Sequence, residues 1–74
     1  MHKRETIDEK GRRLSAVEIT CLKWVAEGKS ITETAVIEGV SSSSVGHHLT
    51  CARHALGASD IVGTISTARK LGLI

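Results

Sequence analysis

Side chains capable of chemistry are concentrated in one short stretch: three histidines, a cysteine and an arginine fall between positions 47 and 54. His47, Cys51 and His54 are spaced four and three residues apart, so on a helix they share one face and offer nitrogen and sulfur ligands of the kind that zinc binds. A structural zinc site, however, usually takes four ligands from at least two segments, and the only other cysteine, Cys21, belongs to an inward-facing stripe. We therefore expect no metal here, and expect these side chains to face solvent or DNA.

Nothing around these residues predicts catalysis. His48 has serines close by, at positions 41–44, but they lie on the same predicted helix and lack an orienting carboxylate or a set of oxyanion donors. Asp60 is expected in the first turn of a later helix, where it interacts with the helix dipole. Neither Cys21 nor Cys51 belongs to a CxxC motif, which argues against a redox pair. The chain is not expected to be an enzyme or to hold a cofactor.

Length and composition limit the class of protein further. The 74 residues are 41% hydrophobic and include one tryptophan but no proline, phenylalanine or tyrosine, enough for one core but not for a core and a deep ligand pocket. No apolar span could cross a membrane, and the first thirteen residues are charged throughout, unlike a secretory signal. Two cysteines without a disulfide-rich pattern suit a reducing compartment. We expect a small cytoplasmic domain without a membrane segment or a small-molecule ligand.

Charge divides the chain into a leader and a domain. Residues 1–13 hold five basic and three acidic side chains, with Ile7 as the only sizeable apolar residue after Met1. This composition predicts a charged leader or linker over residues 1–13, part of which could be helical. The domain itself is predicted over residues 14–74. Two roles stay open for the basic leader, a solubilising tail or an arm along a DNA backbone; its cations are Lys3, Arg4, Lys10, Arg12 and Arg13.

Helix start and stop signals divide the domain into four segments. Each begins after a serine, at positions 15, 30, 41 and 59, and ends at a glycine, at positions 28, 39, 57 and 72. Ser15 with Glu18 and Ser30 with Glu33 fit the S-x-x-E capping box, in which side chain and backbone satisfy each other. The predicted helices cover about residues 16–27, 31–38, 42–56 and 60–71. With short connections between them, they predict an all-α fold, a compact four-helix bundle.

Helical periodicity selects the residues of the core. The core stripes are Val45, Leu49, Ala52 and Leu56 on the third helix, Leu22, Val25 and Ala26 with Cys21 beside them on the first, and Ile61, Ile65 and Ala68 on the fourth. Val62 lies alongside the stripe of the fourth helix. Val40, in the turn before the third helix, is expected to be buried and to pack against the core. Trp24 is expected to be a partly buried packing residue.

The second and third helices are joined by Glu38-Gly39-Val40-Ser41, a short glycine-bearing turn, and this is the layout of a helix-turn-helix. The wider pattern is more specific, and it runs through Leu14-Ser15-x-x-Glu18, Leu22, Ala26-x-Gly28-x-Ser30, Glu33-x-Ala35, Val40-Ser41-x-x-Ser44-Val45-x-x-His48-Leu49, Leu56-Gly57-Ala58, Ala68 and Gly72-Leu73-Ile74. On these residues the chain resembles the LuxR-type (GerE-like) DNA-binding domain, over residues 14–74. The stretch CARHALGAS is most similar to the quorum-sensing branch, whose full-length members carry a separate acyl-homoserine-lactone-binding domain upstream.

The resemblance implies a binding surface for double-stranded DNA on the third helix, about residues 42–56, which enters the major groove in this family. His47 and Thr50 lie three apart on the exposed side, where base edges are contacted. Serine hydroxyls at the start of this helix can reach phosphate oxygens, and Arg53 is the only permanent cation between residues 41 and 58. The candidate DNA-binding residues are Ser42, Ser43, Ser44, His47, His48, Thr50, Arg53 and His54.

The fourth helix corresponds to the helix through which the family dimerises. Its apolar residues exceed what one face of so small a domain can bury, and leftover apolar surface commonly marks an interface. We expect a homodimer, with a heterodimer with a related regulator as the alternative. The candidate interface residues are Ile61, Val62, Ile65, Ala68 and Leu71.

The sequence also departs from the family pattern. Val17, Gly46, Ala55 and Ile61 stand where the family commonly has Arg or Lys, and neutralisation of phosphates is what gives DNA affinity its magnitude. Two functions therefore stay open: a LuxR-type DNA-binding transcriptional regulator, and a module with weakened DNA binding that heterodimerises with a full-length regulator and modulates it.

A further departure concerns the end of the second helix. Glu38 stands where the family has a core Leu, and a buried unpaired carboxylate is costly. We predict a local rotation of the helix that lets Ile37 fill the core while Glu38 faces water. Glu38→Leu is then expected to be neutral or mildly stabilising.

Overall fold

The computed structural model describes residues 5–7 and 13–74 of the chain. Its helices are α1 (Ala16–Ala26), α2 (Ile31–Glu38), α3 (Ser42–Ala55) and α4 (Ile61–Lys70). Two three-residue strands precede them, β1 (Glu5–Ile7) and β2 (Arg13–Ser15), which pair antiparallel with Thr6 opposite Leu14. The predicted all-α class is confirmed, with the hairpin as a small addition, and the four predicted helix spans agree with the observed ones to within one residue at each end.

The hairpin differs from what composition suggests for the start of the chain. A partly helical leader is one expectation for residues 1–13, but residues 5–7 are extended and pair with residues 13–15. Leu14, the central residue of β2, is fully buried and belongs to the core, which joins the hairpin to the helices. The leader residues 1–4 and 8–12, with most of the basic side chains for which a solubilising tail or a DNA-backbone arm stays open, lie outside the described residues. The boundary at residue 14 stays a prediction.

The helix ends follow local capping chemistry. Ser30 Oγ accepts a hydrogen bond from Glu33 N at 3.0 Å while Ser30 N donates to Glu33 Oε1 at 2.8 Å, and Ser15 with Glu18 forms the second predicted capping box. This bonding of the ionised carboxylate lowers the pKa of Glu33. α2 ends at Gly39, whose φ of 70° is the left-handed conformation that glycine adopts without steric cost.

One predicted cap is wrong. α4 is capped by Asp60 and not by Ser59, since Asp60 Oδ1 accepts a hydrogen bond from Gly63 N at 2.8 Å. A carboxylate in this position also interacts favourably with the positive end of the helix dipole, so the longer acceptor one residue later takes the role.

The core lies where α1 and α3 pack together, with α2 and α4 against α3. The predicted face of α3 is confirmed, because all four of its residues are buried. Thr34 and Thr64 are also fully buried, which the apolar pattern does not reveal. Thr64 Oγ1 donates to the carbonyl oxygen of Asp60 at 2.7 Å. Thr34 Oγ1 has no hydrogen-bond partner within the part of the chain that the structure describes.

The turn between α2 and α3 corrects two expectations. Val40 does not plug the core, since it is 40% exposed, and Ile37 does not turn inward, since it is 45% exposed. Glu38 is instead half-buried, and its Oε2 accepts a hydrogen bond from Nε1 of the half-buried Trp24 at 2.7 Å. A half-buried indole N–H needs an acceptor, and the carboxylate supplies it. The predicted rotation of α2 is therefore wrong.

Candidate nucleic-acid interface

The outer face of α3 carries the residues predicted to meet DNA. Because Val45, Leu49 and Ala52 point into the core, the helix turns its opposite side outward. The structure leaves Ser42, Ser43, His47, Thr50 and His54 exposed, and Ser44, His48 and Arg53 half-buried. Over its fourteen residues α3 has no acidic side chain. The helix thus offers donors and positive charge without a carboxylate to repel a phosphate.

The N-terminus of α3 is organised by serine hydroxyls. Ser41 Oγ accepts a hydrogen bond from Ser44 N at 3.1 Å and donates to Ser44 Oγ at 3.0 Å, which fixes the hydroxyl of Ser44. Ser42 and Ser43 are exposed in the first turn, where backbone N–H groups carry the positive end of the helix dipole. This combination suits a phosphate oxygen.

The histidines of α3 are held by neighbours on the same helix. His47 Nε2 lies 3.5 Å from Cys51 Sγ, and His54 Nε2 lies 3.3 Å from a guanidinium nitrogen of Arg53. The rings of His47 and His48 are 6.0 Å apart between centroids and tilted by 58°. Among the residues that the structure describes, no three metal-ligating side chains come close enough to hold an ion.

Arg53 makes a hydrogen bond to the backbone that the sequence does not predict. Its Nη1 donates a hydrogen bond to the carbonyl oxygen of Ala58 at 3.2 Å, which ties the end of α3 to the turn before α4. A guanidinium has five N–H donors, so donors stay available for a phosphate. Arg53 therefore both fixes the turn and supplies the one permanent cation of α3.

A groove beside α3 brings in a residue that the sequence analysis missed. The groove has a volume of about 710 Å³ and lies between the end of α1, the start of α2, α3 and the start of α4. Thr50, Arg53, Lys29 and Asp60 are among the residues that line it, so Lys29 adds a second cation and Asp60 adds a carboxylate. Lys29 precedes the N-cap Ser30, so its place beside the first turn of α2 could have drawn attention to it. Gly46 lines the groove, and an added Cβ there would meet no atom within 4 Å.

The predicted dimer surface on α4 is smaller than the sequence suggests. Val62 is 72% exposed, and Ile61, Ile65 and Leu71 are half-buried. Ala68 is 0% exposed and packs in the core of its own domain, so it offers no surface to a partner and has to be removed from the candidate interface.

The fold and this surface define a class of protein, the helix-turn-helix domains. Here α2 and α3 are the two helices of the motif, and α3 carries an outer face rich in hydrogen-bond donors. No protein-family profile matches the chain. It is similar to the transcriptional activator protein PhzR of Pseudomonas fluorescens, 39% identical over 57 residues that cover 77% of this chain and 23% of PhzR. It is also similar to the transcriptional activator protein VanR of Vibrio anguillarum, 42% identical over 55 residues that cover 74% of this chain and 23% of VanR.

These similarities confirm the resemblance drawn from the motifs. The chain is similar to LuxR-type helix-turn-helix domains. It spans less than a quarter of the length of the two relatives, 23% of each. Within the described residues no helix has the length and apolar character needed to cross a bilayer.

Proposed function

We propose that this chain is a DNA-binding regulator of transcription and not an enzyme, with α3 as the helix that enters the major groove. The observation that carries the proposal is the outer face of α3, eight polar side chains with at least partial exposure and no carboxylate among them. An α-helix with its side chains is about 10–12 Å in diameter, and a B-DNA major groove about 12 Å wide admits it. Two relatives named as transcriptional activators support the same function. We infer a cytoplasmic location, because the two similar proteins are transcriptional activators of bacteria, whose DNA lies in the cytoplasm.

Contacts divide into base recognition and positioning. His47 and Thr50, exposed and three residues apart, face the base edges. Ser42 and Ser43 contact phosphate oxygens at the start of α3. Lys29, which lines the same groove, contacts the backbone, and together with the half-buried Arg53 it gives the surface two permanent cations beside the one carboxylate of the groove, Asp60.

A DNA titration at several salt concentrations tests this function. Duplexes enriched by the chain from a random library serve as probes, and the variants Thr50→Ala and Lys29→Ala are compared with Val36→Ala, an exposed change on α2. We expect Thr50→Ala to relax base preference at one position by about 1–3 kcal/mol. Lys29→Ala is expected to weaken all sequences alike and to reduce the salt slope by about one. An affinity that neither variant changes would exclude α3 and its groove as the DNA surface.

One observation favours the second candidate, a module that acts through a related regulator. α3 has a single permanent cation, so it can neutralise few phosphates and contributes little electrostatic affinity for DNA. Under this alternative the isolated chain binds DNA weakly at moderate salt, whereas its mixture with a full-length relative contains a heterodimer. Sedimentation of the mixture, with and without DNA, separates the two functions.

We further propose that the chain forms a homodimer through α4. The apolar surface that supports this is Val62 with the exposed parts of Ile61, Ile65 and Leu71. Two copies related by a two-fold axis place their α3 helices on half-sites of a pseudo-palindromic DNA site.

A further inference from the structure

The groove beside α3 contains more apolar surface than a contact with phosphates requires. Val25, Ile31, Leu49 and Ile61 are among the residues that line it. Ile31 is 43% exposed and Ile61 is half-buried, so apolar atoms of the groove remain in contact with water. An apolar side chain gains nothing from a phosphate oxygen but gains from being covered by another apolar surface. DNA binding alone therefore does not account for this part of the groove.

The backbone of α3 is open to close approach at Gly46. This residue lines the groove in the second turn of the helix, and a Cβ added to it would meet no atom within 4 Å. No packing among the described residues thus requires the missing side chain, although glycine inside a helix is less favourable than alanine. Glycine allows the backbone of another molecule to approach closely. The space at Gly46 is therefore suited to part of a bound partner.

Two cations and one carboxylate line the same groove. Lys29 is exposed, and Arg53 is held in place because its Nη1 donates a hydrogen bond to the carbonyl oxygen of Ala58 at 3.2 Å. Oδ1 of Asp60 already accepts a hydrogen bond from Gly63 N at the start of α4. A guanidinium that is held in place and keeps free donors can bind a carboxylate with little further ordering. The groove thus complements a ligand that combines apolar groups with negative charge.

The lining residues also limit the form of this ligand. They belong to helices, helix caps and short connections, so within the described residues no strand edge lies in the groove for an extended peptide to pair with. A small molecule bound there would keep much of its surface in water, unlike in ordinary small-molecule sites. The reason is that six of the eleven lining residues are exposed, namely Lys29, Ser30, Ile31, Thr50, Ser59 and Asp60. Recognition of a helix in an apolar groove fits these features.

We propose that the groove is a docking site for an amphipathic helix of a partner protein, which presents aliphatic side chains and at least one carboxylate on the same face. Its aliphatic side chains pack against Ile31 and Ile61, and its carboxylate pairs with Lys29 or Arg53. Its backbone approaches α3 at Gly46. Affinity comes from the apolar contacts, whereas the carboxylate fixes the orientation of the helix in the groove.

Occupation of the groove also regulates DNA binding, and this part rests on the proposed function. Lys29, Thr50 and Arg53 line the groove and are the proposed contacts to the bases and the DNA backbone. A helix that covers them excludes the duplex from the same place, and its carboxylate neutralises cations on which the duplex depends. The partner is therefore an inhibitor of DNA binding.

Selection of helical peptides tests the docking site without reference to DNA. The probe is a display library of peptides about 14 residues long, the length of an ordinary protein helix. Their outer face is fixed as alanine and glutamine, and the inner positions, at helical spacing, are randomised. We expect the full chain to enrich sequences that combine leucine, isoleucine or phenylalanine with glutamate or aspartate. A selection that enriches nothing, or enriches basic sequences, would overturn the proposal.

Substitutions in the chain then locate the bound peptide. Gly46→Leu fills the free space in the groove and is expected to weaken the enriched peptide at least about tenfold in a fluorescence-anisotropy titration. The matched control is Ala16→Leu, which adds a leucine at an exposed position of α1 that does not line the groove. It should change the affinity less than about twofold. Equal effects of the two variants would place the peptide elsewhere and overturn the site.

Charge reversal tests the pairing of the carboxylate. Lys29→Glu is expected to weaken the acidic peptide at least about fivefold, and replacement of the peptide's glutamate by lysine should restore binding to this variant. Such a recovery cannot come from a damaged fold. Lys70→Glu, the same change of charge at an exposed position of α4, is the control and should change the affinity less than about twofold. A peptide that responds equally to both variants would overturn the assigned charge complementarity.

Other occupants of the groove would give different results. Decanoate combines an apolar chain and a carboxylate in a small molecule, and tighter binding of decanoate than of the enriched peptide would assign the groove to a small ligand. A second copy of the chain would be the occupant if, in sedimentation velocity without peptide, Gly46→Leu abolished self-association that Ala16→Leu preserved. Either result would overturn the partner helix.

Competition with duplex DNA tests the regulatory part. Saturating peptide is expected to weaken DNA binding by the chain at least about tenfold, and to change DNA binding by Gly46→Leu less than about twofold. A complex that contains the chain, the peptide and the duplex together would overturn this part. If the chain without peptide does not bind DNA, the proposed function fails with the regulatory part, and the peptide titrations alone decide whether the groove is a docking site.

Discussion

Glu38 accepts a hydrogen bond from the indole nitrogen of Trp24 at 2.7 Å, and this contact joins the end of α2 to the last turn of α1. The two residues are fourteen positions apart, and the hydrogen bond is partly buried. The ammonium of Lys23 lies 5.9 Å from the centre of the Trp24 ring, within the range of a cation–π interaction. The carboxylate that stands in place of a family leucine is thus the acceptor for the only indole of the chain.

Loss of this acceptor is expected to destabilise the domain. Glu38→Leu leaves the half-buried Trp24 N–H without its partner, at a cost of about 1–3 kcal/mol in the free energy of unfolding measured by urea titration. Glu38→Gln is the matched control, because its amide oxygen can still accept the hydrogen bond, and it should lose less. A neutral or stabilising Glu38→Leu would show that the contact contributes nothing net to stability.

A substitution at Thr34 is expected to stabilise the domain. Its hydroxyl is fully buried and has no hydrogen-bond partner among the described residues, so Thr34→Val, which has nearly the same shape, is expected to raise the free energy of unfolding by about 1 kcal/mol. Thr64→Val is the control, since the equally buried Thr64 hydroxyl does donate, to the Asp60 carbonyl at 2.7 Å, and its removal should destabilise. Equal effects of the two substitutions would contradict the assignment.

Gly46 weakens α3 without a steric reason. A Cβ at this position meets nothing within 4 Å, so Gly46→Ala is expected to stabilise the domain by up to about 1 kcal/mol through helix propensity. Gly39→Ala, at a φ of 70°, should instead destabilise. Gly46→Lys adds a cation beside the proposed DNA surface, and we expect tighter binding to all sequences and a salt slope steeper by about one. An unchanged slope would place residue 46 away from the DNA backbone.

The proposed interface on α3 has three histidines and a single permanent cation, and this predicts a pH-dependent affinity. Imidazoles take up protons as the pH falls from about 7.5 to about 6, and a protonated ring interacts favourably with phosphate. Because the charged form favours the bound state, DNA affinity is expected to rise as the pH falls and to be lost as it rises. His47→Ala should flatten this dependence in a fluorescence-anisotropy titration. Tight binding at pH 8 that is indifferent to pH would exclude the histidines as a source of charge.

The α4 surface can be tested without disturbing the core. Val62 is 72% exposed, so Val62→Glu is expected to change the stability of the folded domain by less than about 0.5 kcal/mol while it separates a dimer into monomers. Thr32→Glu adds the same charge on an exposed position of α2 and serves as the control in sedimentation velocity. A wild-type dimer that persists in Val62→Glu would exclude this face.

The helix bounds could be predicted from the sequence, because they depend on capping residues close to each helix end. The contacts between helices could not, because they join residues that are far apart in the chain. The capping serines and the positive-φ glycines act within one turn of a helix, so their spacing fixed the helix bounds. The Trp24–Glu38 hydrogen bond joins two helices, and the spacing of residues within one helix cannot predict a contact of that kind. Apolar character alone therefore favours Ile37 and Val40 as core residues, although both are exposed. Ala68 was assigned to the dimer face for a related reason, since a helical stripe does not say which neighbour covers it.

The proposed DNA surface shows the same division. The α3 positions followed from helix periodicity and from the family motif, and the structure leaves each of them at least partly exposed. Lys29 was missed, because it comes to the edge of α3 only when α1, α2 and α4 are packed around the groove. The contact between Cys51 and His47 was visible as a spacing of four residues, but a spacing does not say that the two atoms touch.

The hydrogen bond from Arg53 to the Ala58 carbonyl has a consequence for the spacing of DNA half-sites. It holds the end of α3 against the turn that leads into α4, so in a dimer joined through α4 each α3 stands at a set offset from the two-fold axis. Half-sites one helical turn apart, about 34–36 Å, require that offset to be the same in both copies. In the proposed dimer, the short turn between α3 and α4 would therefore set the distance between the two half-sites, because the hydrogen bond at Ala58 fixes α3 relative to this turn, whereas the proposed contacts of the outer α3 side chains would set the base preference within each half-site.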